Sequence, residues 1–130
     1  MTREEEALFA NEAFYLAFTR KDYPAMERLW AADHSTLCIH PGWPALGERD
    51  AILNSWRQIL ENPQQPGIDF YNAAAVAFDS VLLVTCYEEL PGSVCVATNG
   101  FVREGGEMRM FHHQSGPCAN PPKPTSSGDA

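Results

Sequence analysis

The spacing of the apolar residues changes near residue 68, and this change constrains the fold more than any other feature of the sequence. Before this point, apolar side chains recur every three to four residues, which is the spacing of one buried helix face. Beyond it, apolar and polar residues alternate, as they do in β-strands that bury one face. The sequence therefore predicts an α+β domain in which helices come first and an antiparallel sheet follows.

Three helices are predicted before this point, and local signals mark where they begin. Thr2 and Glu5 match a capping box, and Asp22 precedes a second, shorter helix. A third helix is expected after Gly47. Between the second and third helices, residues 36–40 have the pattern of a short strand. The proline that follows ends this strand, because proline cannot continue a ladder of backbone hydrogen bonds.

Four strands are predicted in the second part of the chain. They cover residues 68–78, 82–90, 94–103 and 107–115, and short turns suitable for hairpins connect them. The sequence after Gly116 is rich in proline, serine and glycine, a composition that cannot build a packed core. We therefore expect one domain over residues 1–116 and a C-terminal tail over residues 117–130.

The length and charge of the chain limit its organisation and its partners. Its 130 residues suit one domain, and a hydrophobic fraction of 45% is enough for a core. The net charge of −8 argues against nucleic acid and against an anionic membrane as partners. No apolar run is long enough to span a bilayer, and the acidic N-terminus lacks the apolar core of a signal peptide. A cytoplasmic location is therefore expected.

The cysteines and histidines do not match a known metal-binding pattern. None of the four cysteines belongs to a C-x-x-C pair, so we expect free thiols that pack as small apolar side chains. The four histidines lack the spacing of a zinc site. The sequence therefore predicts no metal, and it indicates no cofactor.

Five stretches distributed over residues 3–116 carry a family pattern. They are Asn-Glu-Ala-Phe-Tyr (residues 11–15), Trp-Ala-Ala-Asp (30–33), Cys-Ile-His-Pro-Gly-Trp (38–43), Leu-Gly-Glu-Arg-Asp-Ala-Ile (46–52) and Met-Arg-Met-Phe-His-His-Gln-Ser (108–115). In these stretches and in its order of elements, the chain resembles SnoaL-like proteins of the nuclear transport factor 2-like superfamily. The resemblance implies a cystatin-like cone, in which a curved antiparallel sheet wraps around the three N-terminal helices.

The resemblance leaves the function open, because the superfamily includes isomerases, cyclases, dehydratases, hydrolases and association domains. One hypothesis is a protein that binds a small, mostly apolar molecule in the conical cavity without turnover. A second is an enzyme of the isomerase or cyclase type that uses acid–base residues in the same cavity. A third is a purely structural dimerisation module. Whether the protein is an enzyme is not decided by the sequence.

Five residues are candidates for binding a ligand in such a cavity. Tyr15 and Trp56 belong to buried helix faces, and His40 and Trp43 flank the break after the first strand. In the last strand, strict alternation places His112 on the same face as the two methionines, which favours an inward position. Together they offer an apolar surface with three polar tips, which suits an aromatic or carbonyl-bearing ligand.

The catalytic alternative has weaker candidates. Ketosteroid isomerase-type sites combine an aspartate base with a tyrosine, and the resemblance suggests Tyr15 and Asp33 for these roles. His112 is a third candidate, since histidine exchanges protons near neutral pH. Glu88 would join them if it points inward together with Cys86.

The sequence also predicts a homodimer. Residues 81–84 are apolar on both faces of their strand, and the helices can cover only one face of the sheet. The resemblance implies pairing through the other, outer face.

Overall fold

The computed structural model describes residues 1–125 of the 130-residue chain as three helices and five strands. The helices are α1 (Arg3–Thr19), α2 (Tyr23–Leu29) and α3 (Arg49–Glu61). The strands are β1 (Leu37–Ile39), β2 (Asp69–Phe78), β3 (Val81–Leu90), β4 (Ser93–Glu104) and β5 (Glu107–Pro117). The predicted α+β class and order of elements are confirmed.

The first two helices begin where the sequence signals place them. Thr2 Oγ1 accepts a hydrogen bond from the Glu5 backbone N–H at 3.1 Å, and the Glu5 carboxylate accepts one from the Thr2 N–H at 2.8 Å. Asp22 caps α2 by accepting a hydrogen bond from the Ala25 N–H at 3.1 Å. Each cap satisfies backbone donors that have no partner inside the helix, which is why these positions could be predicted locally.

The sheet has the strand order β1-β5-β4-β3-β2. Its neighbouring strands are antiparallel except for β1, which runs parallel to β5 at one edge. In this pairing Cys38 lies opposite His113, so β1 meets the middle of β5. The parallel edge strand thus joins two parts of the sequence that no hairpin connects.

The helices cover one face of the sheet, which we call the inner face. The largest fully buried side chains belong to the core between this face and the helices, and they include Phe14, Met26, Trp30, Ile52, Trp56, Leu82, Phe101 and Met110. The opposite, outer face carries apolar side chains that remain accessible. Val76 and Phe78 at the β2 edge are 50% and 53% exposed.

A β-bulge in β5 overturns one of the predictions. Met110 pairs with Phe101 and His112 pairs with Gly100, so Phe111 is an extra residue without a partner on β4. Such a residue reverses the alternation beyond it. His113 therefore points inward and is 3% exposed, whereas His112 belongs to the outer face and is half-buried. The expected inward position of His112 is wrong, because alternation was extended through a residue that breaks it.

The C-terminal segment returns across the sheet to β2. Tyr71 Oη donates a hydrogen bond to the Pro122 carbonyl at 2.9 Å, and Asn72 Nδ2 donates one to the Lys123 carbonyl at 3.1 Å. Asn72 has a left-handed φ of 53° and lies at an irregularity in the β2–β3 pairing. Strand β2 thus binds part of the predicted tail at this irregularity. Residues 126–130 of that tail lie outside the described residues.

Three further findings concern residues 1–125. None of their helices combines the length and apolar character needed to cross a membrane. No three His, Cys, Asp or Glu side chains among them are grouped in a way that could hold a metal ion. All four cysteines are unpaired thiols, and Cys38, Cys86 and Cys95 are buried.

Candidate functional site

A cavity of about 390 Å³ lies between α1, α3 and the inner face of the sheet. Its volume falls within the range that small-molecule sites occupy. Its wall is mostly apolar and aromatic and is formed by Phe14, Phe18, His40, Pro41, Trp43, Trp56, Ile59, Gln65, Ile68, Glu88, Leu90, Ser93, Cys95 and His113. Lysine and arginine are missing from this set, so a charged ligand group would meet only the carboxyl of Glu88.

Glu88 is the buried acidic group of the cavity and is 3% exposed. Tyr15 Oη donates a hydrogen bond to its Oε2 at 2.6 Å, and Ser115 Oγ donates one to its Oε1. Burial raises the pKa of Glu88 because it disfavours the charged form, while the two hydroxyl donors oppose this effect. The pKa of Tyr15 is raised well above its ordinary value, chiefly by burial and then by the charge of Glu88.

Asn99 connects this carboxyl group to His113. Its Nδ2 donates hydrogen bonds to Asn11 Oδ1 at 2.8 Å and to Tyr15 Oη at 3.1 Å. Its Oδ1 lies 2.6 Å from His113 Nδ1. Because both Asn11 and Asn99 are completely buried, these amides depend on one another for hydrogen bonds that water would otherwise supply.

His40 enters the cavity from the end of β1. Its Nε2 lies 2.8 Å from Ser55 Oγ, and that hydroxyl donates its proton to the Ile52 carbonyl at 2.6 Å. The serine oxygen therefore accepts a hydrogen bond from His40 Nε2–H. Burial lowers the pKa of His40 to about 4, and burial together with the neighbouring histidines lowers that of His113 to about 3. Both rings are neutral at pH 7.

Two tryptophans form an aromatic wall around His40. The ring of Trp43 lies 4.9 Å and that of Trp56 4.7 Å from the His40 ring, both edge to face. Trp43 is 39% exposed and borders the opening to solvent. Trp56 is 1% exposed, and its indole Nε1–H has no hydrogen-bond acceptor among residues 1–125.

The structure brings three of the five predicted binding residues to this cavity, namely His40, Trp43 and Trp56. Tyr15 lies behind the wall, where its ring stacks on Phe70 at 4.7 Å and its hydroxyl contacts Glu88. His112 does not reach the cavity. The role of these residues in binding remains a prediction.

The predicted catalytic group of Tyr15, Asp33 and His112 is not assembled. Asp33 lies in the exposed loop after α2, where its backbone N–H donates to the carboxylate of Glu104 at 2.9 Å. His112 lies on the outer face of the sheet. Within the described part of the chain, Tyr15 is therefore the only one of the three that contacts the polar residues of the cavity, through its hydrogen bonds with Glu88 and Asn99.

Sequence reasoning missed the contributions of Asn99, His113 and Ser115, whose side chains belong to the inner face of the sheet. Glu88 points inward together with Cys86, which was the condition for Glu88 to join the site. Asn99 lies on the inward face of β4 between Ala97 and Phe101. A polar residue among apolar inward positions could therefore have identified it from the sequence. For His113 and Ser115 the bulge removed that signal.

Comparison with known proteins assigns the chain to a family. The model of the SnoaL-like domain matches residues 8–119, which is most of the chain. The chain belongs to the SnoaL-like domain family. A comparison with curated proteins gives no match.

Several solved structures are similar to this SnoaL-like protein. A "putative dehydratase" of the NTF2-like family from Streptomyces avermitilis is 29% identical, with a TM-score of 0.81 over 89% of this chain and 96% of that one. An NTF2-like protein of unknown function from Pseudomonas putida is 18% identical, with a TM-score of 0.76 over 87% and 84% of the two chains. A cystatin-like fold protein of unknown function from Nostoc punctiforme is 11% identical, with a TM-score of 0.71 over 90% and 92%. The fold is thus that of the NTF2-like and cystatin-like proteins.

Proposed function

We propose that this SnoaL-like protein binds a small, mostly apolar molecule in the cavity between α1, α3 and the sheet. The observation that carries the proposal is an aromatic cavity whose wall contains a polar atom that the fold does not use. His113 Nε2 makes no hydrogen bond with residues 1–125. Buried polar groups are normally paired, so this atom is available to a ligand.

The state of the histidines favours binding over histidine-based catalysis. A general base is most effective when its pKa lies near the working pH. The pKa values of His40 and His113, about 4 and about 3, are far below neutrality. At pH 7 these rings therefore serve as neutral hydrogen-bonding groups in an apolar wall.

The binding proposal is tested by filling the cavity. Ile59 lines the cavity from α3, whereas its neighbour Gln58 is exposed to solvent. With 2-naphthol as the probe in isothermal titration calorimetry, we expect Ile59→Trp to weaken binding at least about tenfold, because the larger side chain occupies the ligand volume. The matched Gln58→Trp variant should bind like the wild type. No binding of the probe by the wild type, or equal affinities of the two variants, would contradict the proposal.

A second candidate function is proton-transfer catalysis, which the position of Glu88 favours. This carboxyl lines the cavity, and burial moves its pKa upward, towards the range of a useful general base. Dehydratases also move protons, and the Streptomyces avermitilis structure described above carries that name. In such a reaction the Glu88 carboxylate would take a proton from a carbon next to a ligand carbonyl. The electron pair of the broken C–H bond would pass to the carbonyl oxygen as an enolate.

This second function is tested by hydrogen exchange into a ketone. The reverse step returns a deuteron from D₂O through Glu88 to carbon, so 2-tetralone should gain deuterium that NMR detects. Glu88→Gln should abolish the exchange while retaining probe binding, because the amide cannot take up the proton. Glu89→Gln is the matched control, since Glu89 is exposed on the opposite face of β3. Exchange that survives in Glu88→Gln, or that is missing in the wild type, would contradict this function.

We also propose that the protein is a homodimer that pairs through the outer face of the sheet. Val76, Phe78 and Val96 expose apolar surface on this face. Exposed apolar side chains on one sheet face are typical of an interface.

A further inference from the structure

We infer that Asn99 holds His113 in the Nδ1–H tautomer, and that the cavity therefore selects a ligand with an uncharged hydroxyl group. This inference rests on the proposed binding function and specifies the chemistry of its ligand. It makes His113 the residue that determines specificity and Asn99 the residue that positions it.

The orientation of Asn99 follows from its partners. The hydroxyl proton of Tyr15 is donated to Glu88 at 2.6 Å, so Tyr15 Oη can only accept from Asn99 Nδ2. The second amide proton is donated to Asn11 Oδ1 at 2.8 Å. Turning the amide over would place the Asn99 oxygen against the Asn11 oxygen, with no proton between them. The Asn99 oxygen therefore faces His113.

The tautomer of His113 follows from this orientation. Asn99 Oδ1 can only accept a hydrogen bond, and it lies 2.6 Å from His113 Nδ1. Nδ1 must carry the proton, so Nε2 carries a lone pair. His113 lines the cavity and is 3% exposed, and Nε2 makes no hydrogen bond with residues 1–125. The wall therefore presents a hydrogen-bond acceptor that a donor on the ligand can satisfy.

The charges around the cavity disfavour an anionic ligand group. A ligand carboxylate would find no lysine or arginine in the wall and would lie near Glu88. Moving such a group out of water without a cation is costly. The Glu88 oxygens accept hydrogen bonds from Tyr15 and Ser115, and His113 Nε2 adds a neutral acceptor that has no partner among residues 1–125. A neutral hydroxyl fits this set, because it can donate to His113 Nε2 without bringing a negative charge beside Glu88.

The test compares three probes with the same aromatic skeleton. We expect the wild type to bind 2-naphthol about tenfold more tightly than 2-methoxynaphthalene, because the ether leaves the lone pair of Nε2 buried and unpaired. We expect 2-naphthoate to bind at least about tenfold more weakly than 2-naphthol, because its charge has no cationic partner. Equal affinity for 2-naphthol and its ether, or tighter binding of the carboxylate, would overturn the inference.

Variants assign the preference to His113. His113→Phe should bind both uncharged probes with similar affinity, because the variant keeps an aromatic ring at this position and loses the acceptor nitrogen Nε2. His112→Phe, one residue away on the outer face, should keep the tenfold preference. A preference that persists in His113→Phe, or disappears in His112→Phe, would contradict the assignment.

Nitrogen NMR tests the tautomer without any variant or ligand. The ¹⁵N signals of His113 should identify Nδ1 as protonated and Nε2 as unprotonated at pH 7. The opposite pattern would overturn the inference. In Asn99→Ala the signals should shift towards a mixture of the two tautomers, which a merely structural role of Asn99 would not produce. If none of the three probes binds, the binding function itself fails, whereas equal binding refutes only the hydroxyl preference.

Discussion

At the scale of single residues, the interior is defined by polar groups that are neutral or fully hydrogen-bonded. His40 donates to Ser55, His113 donates to Asn99, and Glu88 accepts from two hydroxyl groups. Each of these groups is buried away from water. The free energy of unfolding therefore depends on whether the group keeps its hydrogen-bond partner and its protonation state. The pH dependence of stability should therefore report on the cavity.

His40 provides the prediction at this scale. Its pKa falls from 6.5 to about 4 on folding because of burial. The unfolded chain thus takes up the proton first, so the stability is complete above pH 6.5 and is lost as the pH falls towards 4. We expect His40→Gln to lose roughly 2 kcal/mol less free energy of unfolding than the wild type between pH 7 and pH 5.

Urea denaturation at the two pH values measures this difference. The contribution of His113 has the same sign and is present in both proteins. Burial, the main cause of its low pKa, is the same in both, so most of this contribution cancels in the comparison. The same loss of stability in wild type and variant would show that His40 is not buried as the structure describes.

At the scale of elements, the bulge in β5 determines which residues reach the cavity. Gly100 faces the extra residue across the strand pair, and a Cβ atom at this position would lie 2.8 Å from two ring carbons of Phe111. The missing side chain of Gly100 thus leaves room for the Phe111 ring on the outer face. The Phe111 ring thus packs against Gly100 at the bulge, and the bulge turns His113 inward.

We predict that Gly100→Val destabilises the protein by about 1–3 kcal/mol because it forces the Phe111 ring from its place. In the Phe111→Ala background the same substitution should cost markedly less, since the space is then vacant. A double-mutant cycle with urea denaturation measures this coupling. Additive effects of the two substitutions would mean that Gly100 and Phe111 do not constrain each other.

At the scale of the whole molecule, the two faces of the sheet have different roles. The inner face and the helices enclose the cavity, and the outer face exposes Val76 and Phe78. The C-terminal segment contacts this sheet at Tyr71 and Asn72, further along β2. The part of the outer face around Val76 and Phe78 therefore remains accessible for the proposed dimer.

We predict that Val76→Glu converts the dimer to a monomer, because a buried and unpaired carboxylate opposes association. Phe9→Glu is the control, since Phe9 is also exposed, at 62%, but belongs to α1. Light scattering coupled to size exclusion, at micromolar concentration, distinguishes the two states. A monomeric wild type, or dissociation caused equally by Phe9→Glu, would contradict pairing through the outer face.

The sequence by itself determined the elements of this protein. The capping box at Thr2 and the change of apolar spacing near residue 68 predicted helix starts and strands that the structure confirms. The break after β1 also placed His40 and Trp43 beside each other. Each of these signals depends on a few neighbouring residues, so it can be interpreted without the rest of the chain.

Only the tertiary structure decided which polar groups meet. Asn11 and Asn99 bond across 88 positions of sequence, and no local pattern indicates that pairing. The inward turn of His113 depends on the register between β4 and β5, where one unpaired residue reverses the alternation of all that follow. Local periodicity describes a strand by itself, whereas a bulge is a property of two strands together, and this is why His113 and not His112 faces the cavity.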